Sequence, residues 1–340
     1  MKHSSTKKTV RIRFLILRLV ITLLCLGAVL VLAEFYLRRE VSYIVRKTIK
    51  DSGGLIEQNP EFLVDYTGGG RRYVPGAHVV IKNHFTSHKD VEMKINSLGF
   101  RDDEIPLEKQ QSELRILALG DSITAADYLP REESFVERAE AYLQETLPDR
   151  KVSVINAGIG NIGTEEAIAI LQERGLSLKP DIVMLNFYLN DSRPPWGFAG
   201  EIGDRGWLRR HSLVAEQLYR RIKEYDWYKD QGEKRFGWRS LTGELNWSSD
   251  REAFLKLAGS AEFDWGTAWQ AESWVKTRGE LLHLKELALR HKFEVLIVAL
   301  PVSFQVYADF VEDYPQRELQ RISAELGFSF LNLLPALREH

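Results

Sequence analysis

Three short stretches of this 340-residue chain carry residue types that suit acyl-transfer chemistry. Residues 115–124 (RILALGDSIT) form an apolar run that stops at Gly120-Asp121-Ser122 and gives way to a helix-like pattern, which predicts a buried strand feeding a strand-to-helix turn. Such a turn lifts Ser122 to the carboxyl edge of a sheet, where open α/β folds bind ligands and display nucleophiles. Residues 156–163 (NAGIGNIG) follow a second strand-like run, and Asn190-Asp191 follow a third. Acyl transfer needs a hydroxyl nucleophile and N–H donors that converge where negative charge develops on the carbonyl oxygen. Backbone N–H groups of Ser122 and of the Gly-rich turn, with the side-chain amide of Asn190, would supply three donors. The plain alternative for Ser122 is a helix cap.

Positioning these groups requires parallel strands with helical crossovers. Residues 116–119, 152–156, 181–187, 293–300 and 329–333 read as strands, and residues 134–146, 165–175, 273–290 and 318–326 as helices. The alternation predicts an α/β fold, a doubly wound parallel sheet whose first three strand ends lie along one edge. A long insertion, about residues 192–272, leaves the third strand beside that edge. All eight tryptophans (Trp196, Trp207, Trp227, Trp238, Trp247, Trp265, Trp269 and Trp274) fall in it or at its border. Most are expected to build the insertion's own small core. Two or three would line a groove for sugar rings or acyl chains, or rest at a membrane interface.

Composition narrows the class. Hydrophobic residues make up 44% and charged residues 28%, so the chain can bury a large core. Residues 1–50 hold eleven Lys or Arg against two Glu, so the remainder carries −11 although the whole chain is only −2. A mildly acidic body has no electrostatic footprint for nucleic acid. The one cysteine, Cys25, permits no intramolecular disulfide and no cysteine-based metal site. His78, His84 and His88 lie near Asp90 without helical ligand spacing, and loop histidines of this kind are expected to face solvent; neither a metal nor a cofactor is expected. Arg101, flanked by Asp102 and Asp103, reads as a surface ion pair. The turn residues of 96–102 (NSLGFRD) would pin a small β element onto the main domain.

Residues 14–33 form a 20-residue apolar run broken only by Arg18, enough helix to cross a bilayer core. It reads as a single-pass membrane anchor, with a signal peptide cleaved near Val31-Leu32-Ala33 as the competitor. Basic residues flank both ends equally, so the positive-inside count is a tie, and the behaviour of N-terminal signal-anchors places the body outside the cytoplasm, on the periplasmic side. The expected organisation is a basic tail over 1–13, the anchor over 14–35, a juxtamembrane stalk with a small β element over 36–112, and an α/β domain over 113–340.

The second turn also contains G-x-G-x-x-G, the dinucleotide-binding pattern. Asp181 precedes its strand and Asp191 is late for the ribose-binding acid. Glu165 and Glu166 would place two carboxylates where a pyrophosphate should sit, so an oxidoreductase is disfavoured. Gly120-Asp121-Ser122, the 156–163 turn and Asn190-Asp191 instead resemble, in order and spacing, the first three conserved blocks of the GDSL or SGNH hydrolases. Asn96 to Asp102 and the apolar N-terminus are similar to a membrane-tethered bacterial branch of that superfamily. The resemblance covers about residues 96–334 apart from the insertion, and implies a flavodoxin-like three-layer fold. It also implies Ser122 as nucleophile, Asn190 as oxyanion donor, and Asn161, flanked by Gly160, as the position of the remaining donor.

Two departures bear on function. Leu189 stands where the family often has Gly, a tolerable change because the Asn190 amide is the working group. The family's C-terminal Asp-x-x-His is missing: no such motif occurs in the sequence, and His340 has Leu337 where the Asp should be. The expectation is a fragment lacking the general base, with His283 and His291 as surface residues. The implied activity is a membrane-anchored serine esterase or acyltransferase whose partners are the lipid bilayer and an acyl ester, with acylated extracytoplasmic polysaccharide favoured. The rival is a non-catalytic, membrane-tethered glycan- or lipid-binding module.

Overall fold

The computed structural model describes residues 3–339 except 52–63, 66–71, 82, 85, 161, 193–206, 209–211, 213, 216–217, 220–221, 223–237, 263 and 309; for residues 3–12, 38–51, 64 and 65 it describes the backbone alone. Helix α1 (His3–Asp51) contains an exposed apolar stretch, Arg13–Leu37, long enough to cross a membrane as an anchor or to act as a signal sequence. A two-residue pair, β1 (Val64–Asp65) with β2 (Arg72–Tyr73), precedes an antiparallel hairpin of β3 (His78–Ile81) and β4 (Val91–Lys94).

The main body is a five-stranded parallel sheet built from β5 (Leu114–Gly120), β6 (Val152–Asn156), β7 (Ile182–Tyr188), β8 (Glu294–Leu300) and β9 (Ser329–Asn332). The spatial order is β6-β5-β7-β8-β9. In β5 all residues after Leu114 are buried, as expected for an inner parallel strand covered on both faces. Connections alternate with helices: α2 (Ser122–Ala125), α3 (Phe135–Thr146), α4 (Thr164–Glu173), α5 (Trp238–Glu244), α6 (Arg251–Ser260), α7 (Ala271–His291), α8 (Ser303–Tyr307), α9 (Tyr314–Leu326) and α10 (Leu334–Arg338). Leu117, Leu119, Val183, Leu185 and Ile297 pack beneath α4, α7 and α9. Ile116, Ala118 and Val154 pack against α3 on the opposite face. The sheet is thus wound on both faces, and the expected α/β class holds. The expected helix at 318–326 begins earlier, because Pro315 sits at the start of α9, where its fixed φ and missing N–H suit a helix N-terminus.

The insertion does not build the separate small core expected of it: its buried tryptophans join the main core beneath the sheet. Trp265 stacks on Phe304 with centroids 4.8 Å apart and meets Trp238 and Trp269 edge-on at 5.9 and 5.7 Å. Trp247 packs edge-on against Phe304, and Trp274 stacks on Phe187 of β7. These five tryptophans are structural, whereas Trp207 is 71% exposed. Trp196 and Trp227 lie outside the described residues.

Candidate active site

The strand order settles how the three sequence stretches meet. β5 lies between β6 and β7, so Ser122 at its carboxyl end is flanked by the Gly-rich turn on one side and by the Asn190 turn on the other. The order reverses between β5 and β7, and ligands of open α/β sheets bind at such a switch point, outside the carboxyl ends of the strands.

Ser122 is the first residue of α2 and is partly exposed. The cap belongs to its neighbour: the buried Asp121 carboxylate accepts the Ile123 N–H at 2.9 Å, leaving the Ser122 hydroxyl free of that duty. Gly120 makes the turn possible. Its φ is +153°, and a Cβ there would come within 2.2 Å of Thr124 Oγ1 and 2.8 Å of the Asn186 carbonyl oxygen. The second turn is laced to the first. Asn156 donates from Nδ2 to the Thr124 carbonyl at 2.9 Å and accepts the Gly158 N–H on Oδ1 at 3.0 Å, while the Ile159 N–H donates to the Gly120 carbonyl at 3.1 Å. A Cβ on Gly158 would lie 2.5 Å from the Ala125 nitrogen, so only glycine lets these backbones approach this closely.

Gly160 then stands directly beside the candidate nucleophile. A Cβ built on it would be 3.7 Å from Ser122 Cβ and 3.5 Å from Asp127 Oδ2. Asn161 lies outside the described residues. On the other flank, residues 189–192 form a 3-10 turn in which the buried Asp191 carboxylate accepts the Tyr188 N–H at 3.2 Å. Asn190 is partly exposed there, with a buried Oδ1 that accepts no hydrogen bond among the described residues. The Ser192 hydroxyl meets the Thr267 hydroxyl at 2.8 Å, tying this turn to the insertion.

Two contributions were not legible in the sequence. Arg101 is not a surface ion-pair residue: it is 1% exposed, and its guanidinium donates to the carbonyls of Ala125, Ala126 and Leu129, at 3.0, 2.6 and 2.7 Å, and of Glu92 at 3.2 Å. It holds the loop that follows Ser122 against the β3–β4 hairpin. An arginine followed by two aspartates advertises an ion pair, and only the fold directs it to main-chain carbonyls. Asp102 takes the ionic role with Arg131 at 2.7 Å and also accepts the Asn156 N–H at 3.2 Å. Burial pushes its carboxyl up, to about 7, against the opposing pull of Arg131.

Two carboxylates, Asp121 and Asp127, and the buried guanidinium of Arg101 lie close to Ser122. Burial first, then the charges on Asp121 and Asp127, push the Tyr128 phenol up. His84 is 4% exposed, contrary to the solvent-facing position expected of a loop histidine, and its Nδ1 accepts the Thr86 N–H at 3.1 Å. Its burial lowers its pKa while Asp127 raises it. His283 and His291 are exposed, and His291 closes α7 just before β8 begins, at the sheet edge opposite Ser122. His340 lies outside the described residues. The first turn of α4 carries Glu165 and Glu166, which oppose a pyrophosphate at that helix start.

No family model matches the chain, and no curated protein matches it. Solved structures do. AlinE4, an SGNH-hydrolase family esterase, is 14% identical over 68% of this chain and 82% of its own, with a TM-score of 0.35. A catalytic mutant of Axe2, an acetylxylan esterase from Geobacillus stearothermophilus, is 16% identical over 68% of this chain and 81% of its own, with a TM-score of 0.34. The acetyl xylan esterase AlAXEase is 13% identical over 66% and 80%, with a TM-score of 0.33. All three neighbours are esterases, and AlinE4 is one of the SGNH-hydrolase family. At such identities and scores the activity of this chain rests on its own site.

Proposed function

We propose that the chain is a membrane-anchored serine esterase or acyltransferase of the SGNH type, with Ser122 as nucleophile. The observation that carries this reading is the placement of Ser122 just past the carboxyl end of β5, between β6 and β7, with Gly160 packed beside it and Asn190 on the other flank. In the reaction, Ser122 Oγ bonds to the acyl carbon and its proton leaves to a base. The C–O bond to the alcohol then breaks, and the alcohol departs with a proton. Water or an acceptor hydroxyl then attacks the acyl carbon, the bond to Ser122 Oγ breaks, and the proton lost by the attacking group returns to Ser122 Oγ. The N–H groups of Ser122 and of the Gly160-Asn161 turn, with the Asn190 amide, hold the oxyanion. Acylated extracytoplasmic glycans are the favoured class, on the strength of the apolar N-terminal helix; no cofactor is invoked.

The second reading, a binding module without turnover, is favoured by the position of His291 at the far sheet edge. Labelling of the full chain with a serine-reactive phosphonate, with Ser122→Ala as control, separates the two. Stoichiometric labelling lost in Ser122→Ala supports the enzyme. No labelling, with acylated glycan still bound, supports the binding module.

A further inference from the structure

The insertion reaches back to the apolar helix. The Glu34 carboxylate of α1 accepts the Ser212 hydroxyl at 2.9 Å and the Val214 N–H at 3.0 Å. Beside this contact runs an apolar groove, with Leu30, Val31 and Phe35 on one wall and Leu208, Ala215 and Leu218 on the other. Leu208 and Leu218 share this groove, and Trp207, Leu208, Leu218 and Ile222 are 71, 61, 60 and 54% exposed, large apolar side chains that water alone would not favour.

Glu34 lies three residues inside the end of the apolar stretch Arg13–Leu37. At about 1.5 Å per residue its carboxylate sits a few ångströms within the span's end, at the boundary between acyl chains and head groups. A carboxylate at that depth needs hydrogen-bond donors, and the insertion supplies two. A segment that bonds Glu34 is therefore held at bilayer level. Its sequence agrees: residues 207–223 interleave Trp207, Leu208, Leu218 and Ile222 with Arg209, Arg210, Arg220, Arg221 and Lys223 against Glu216 alone. Indole, aliphatic and cationic side chains together suit the interface of an anionic bilayer.

We propose that the insertion face bearing Trp207, Leu208, Leu218 and Ile222 is a second membrane-contact surface, seated in the head-group boundary beside α1. This rests on the reading of α1 as a membrane anchor. The insertion leaves the sheet directly after Asn190, so seating it orients the candidate site toward esters presented close to the bilayer surface.

The test uses the full chain with Cys25→Ala, a single cysteine at Trp207→Cys or Leu218→Cys, and an environment-sensitive nitrobenzoxadiazole label. The protein is reconstituted in vesicles of phosphatidylcholine and phosphatidylglycerol that contain nitroxide lipids of graded depth. Leu24→Cys marks the span, and Val275→Cys, 76% exposed on α7, marks the water-facing body. The expected result is a blue-shifted label at 207 and 218, quenched about two-fold or more by shallow nitroxides, with Leu24→Cys quenched best by deep ones and Val275→Cys unaffected. Labels at 207 and 218 that behave like Val275→Cys, while Leu24→Cys is quenched, overturn the proposal and leave the anchor standing. A blue shift without lipid quenching also overturns it, because a protein or a second copy then covers the face. Failure of quenching at Leu24→Cys overturns the anchor reading, and this one with it.

Discussion

Ser122 owes its standing to its neighbours. A serine opening a helix is ordinarily a cap, yet here Asp121 accepts the Ile123 N–H and performs that task. The hydroxyl is thereby left at a sheet edge with Gly160 beside it. Asn190→Ala keeps the backbone and removes one oxyanion donor, so kcat for ester cleavage should fall about 100- to 1000-fold with little change in melting temperature. Steady-state kinetics on a chromogenic acetyl ester, beside a thermal melt, would check both halves. Gly158→Ala acts differently. Its Cβ would lie 2.5 Å from the Ala125 nitrogen and 2.7 Å from the Thr124 carbonyl carbon, so main chain must move. We expect a loss of about 1–3 kcal/mol in stability by urea titration, together with lost activity.

At the scale of elements, the central strand β5 is clamped where it begins. Arg115 and Glu113 are a fully buried ion pair at 2.8 Å; Ser153 Oγ also donates to Glu113, and the Arg115 guanidinium reaches the carbonyls of Pro106 and Leu178. Burial alone would push the Glu113 carboxyl up, but hydrogen bonds from Arg115, the Gln110 N–H and Ser153 prevail and hold it at about 2. Because the folded value lies below the unfolded one, this carboxylate stabilises the fold above about pH 4.5. The contribution, on the order of 3 kcal/mol, is lost as pH falls from about 4.5 toward 2. Urea unfolding across that range should show the decline, and Glu113→Gln should flatten it while lowering stability at neutral pH, since Arg115 would lose its counter-charge. The strands themselves were readable from apolar runs: β6 spans the residues expected, and β5 and β7 agree within two residues at each end. The role of Arg101 was not readable, since its carbonyl partners come from β4 and from the loop after α2, brought together only by folding.

For the whole molecule, the question is how a body with a site at one sheet edge relates to the apolar helix α1. If that helix spans the bilayer, the full chain resists alkaline carbonate extraction. Leu24→Arg, which places a charge near the middle of the span at an insertion cost of about 2.5–3.5 kcal/mol, should shift a large share of the protein into the soluble fraction. Retention of Leu24→Arg in the membrane pellet would count against the span.

Read alone, the sequence determined what depends on local pattern. Apolar runs, the glycines and asparagines at their ends and the apolar N-terminus follow from periodicity and turn chemistry, which act over a few residues. They yielded the α/β class, Ser122, the Gly-rich turn and Asn190; the resemblance to the SGNH hydrolases singled out Asn161, flanked by Gly160, within that turn. The tertiary structure alone decided the order β6-β5-β7, which sets Ser122 between its two flanking turns, and the close approach at Gly158 that locks two of those turns together. It also turned Arg101 inward and brought the insertion to Glu34. Each of these joins residues far apart in the chain, and packing rather than propensity selects them.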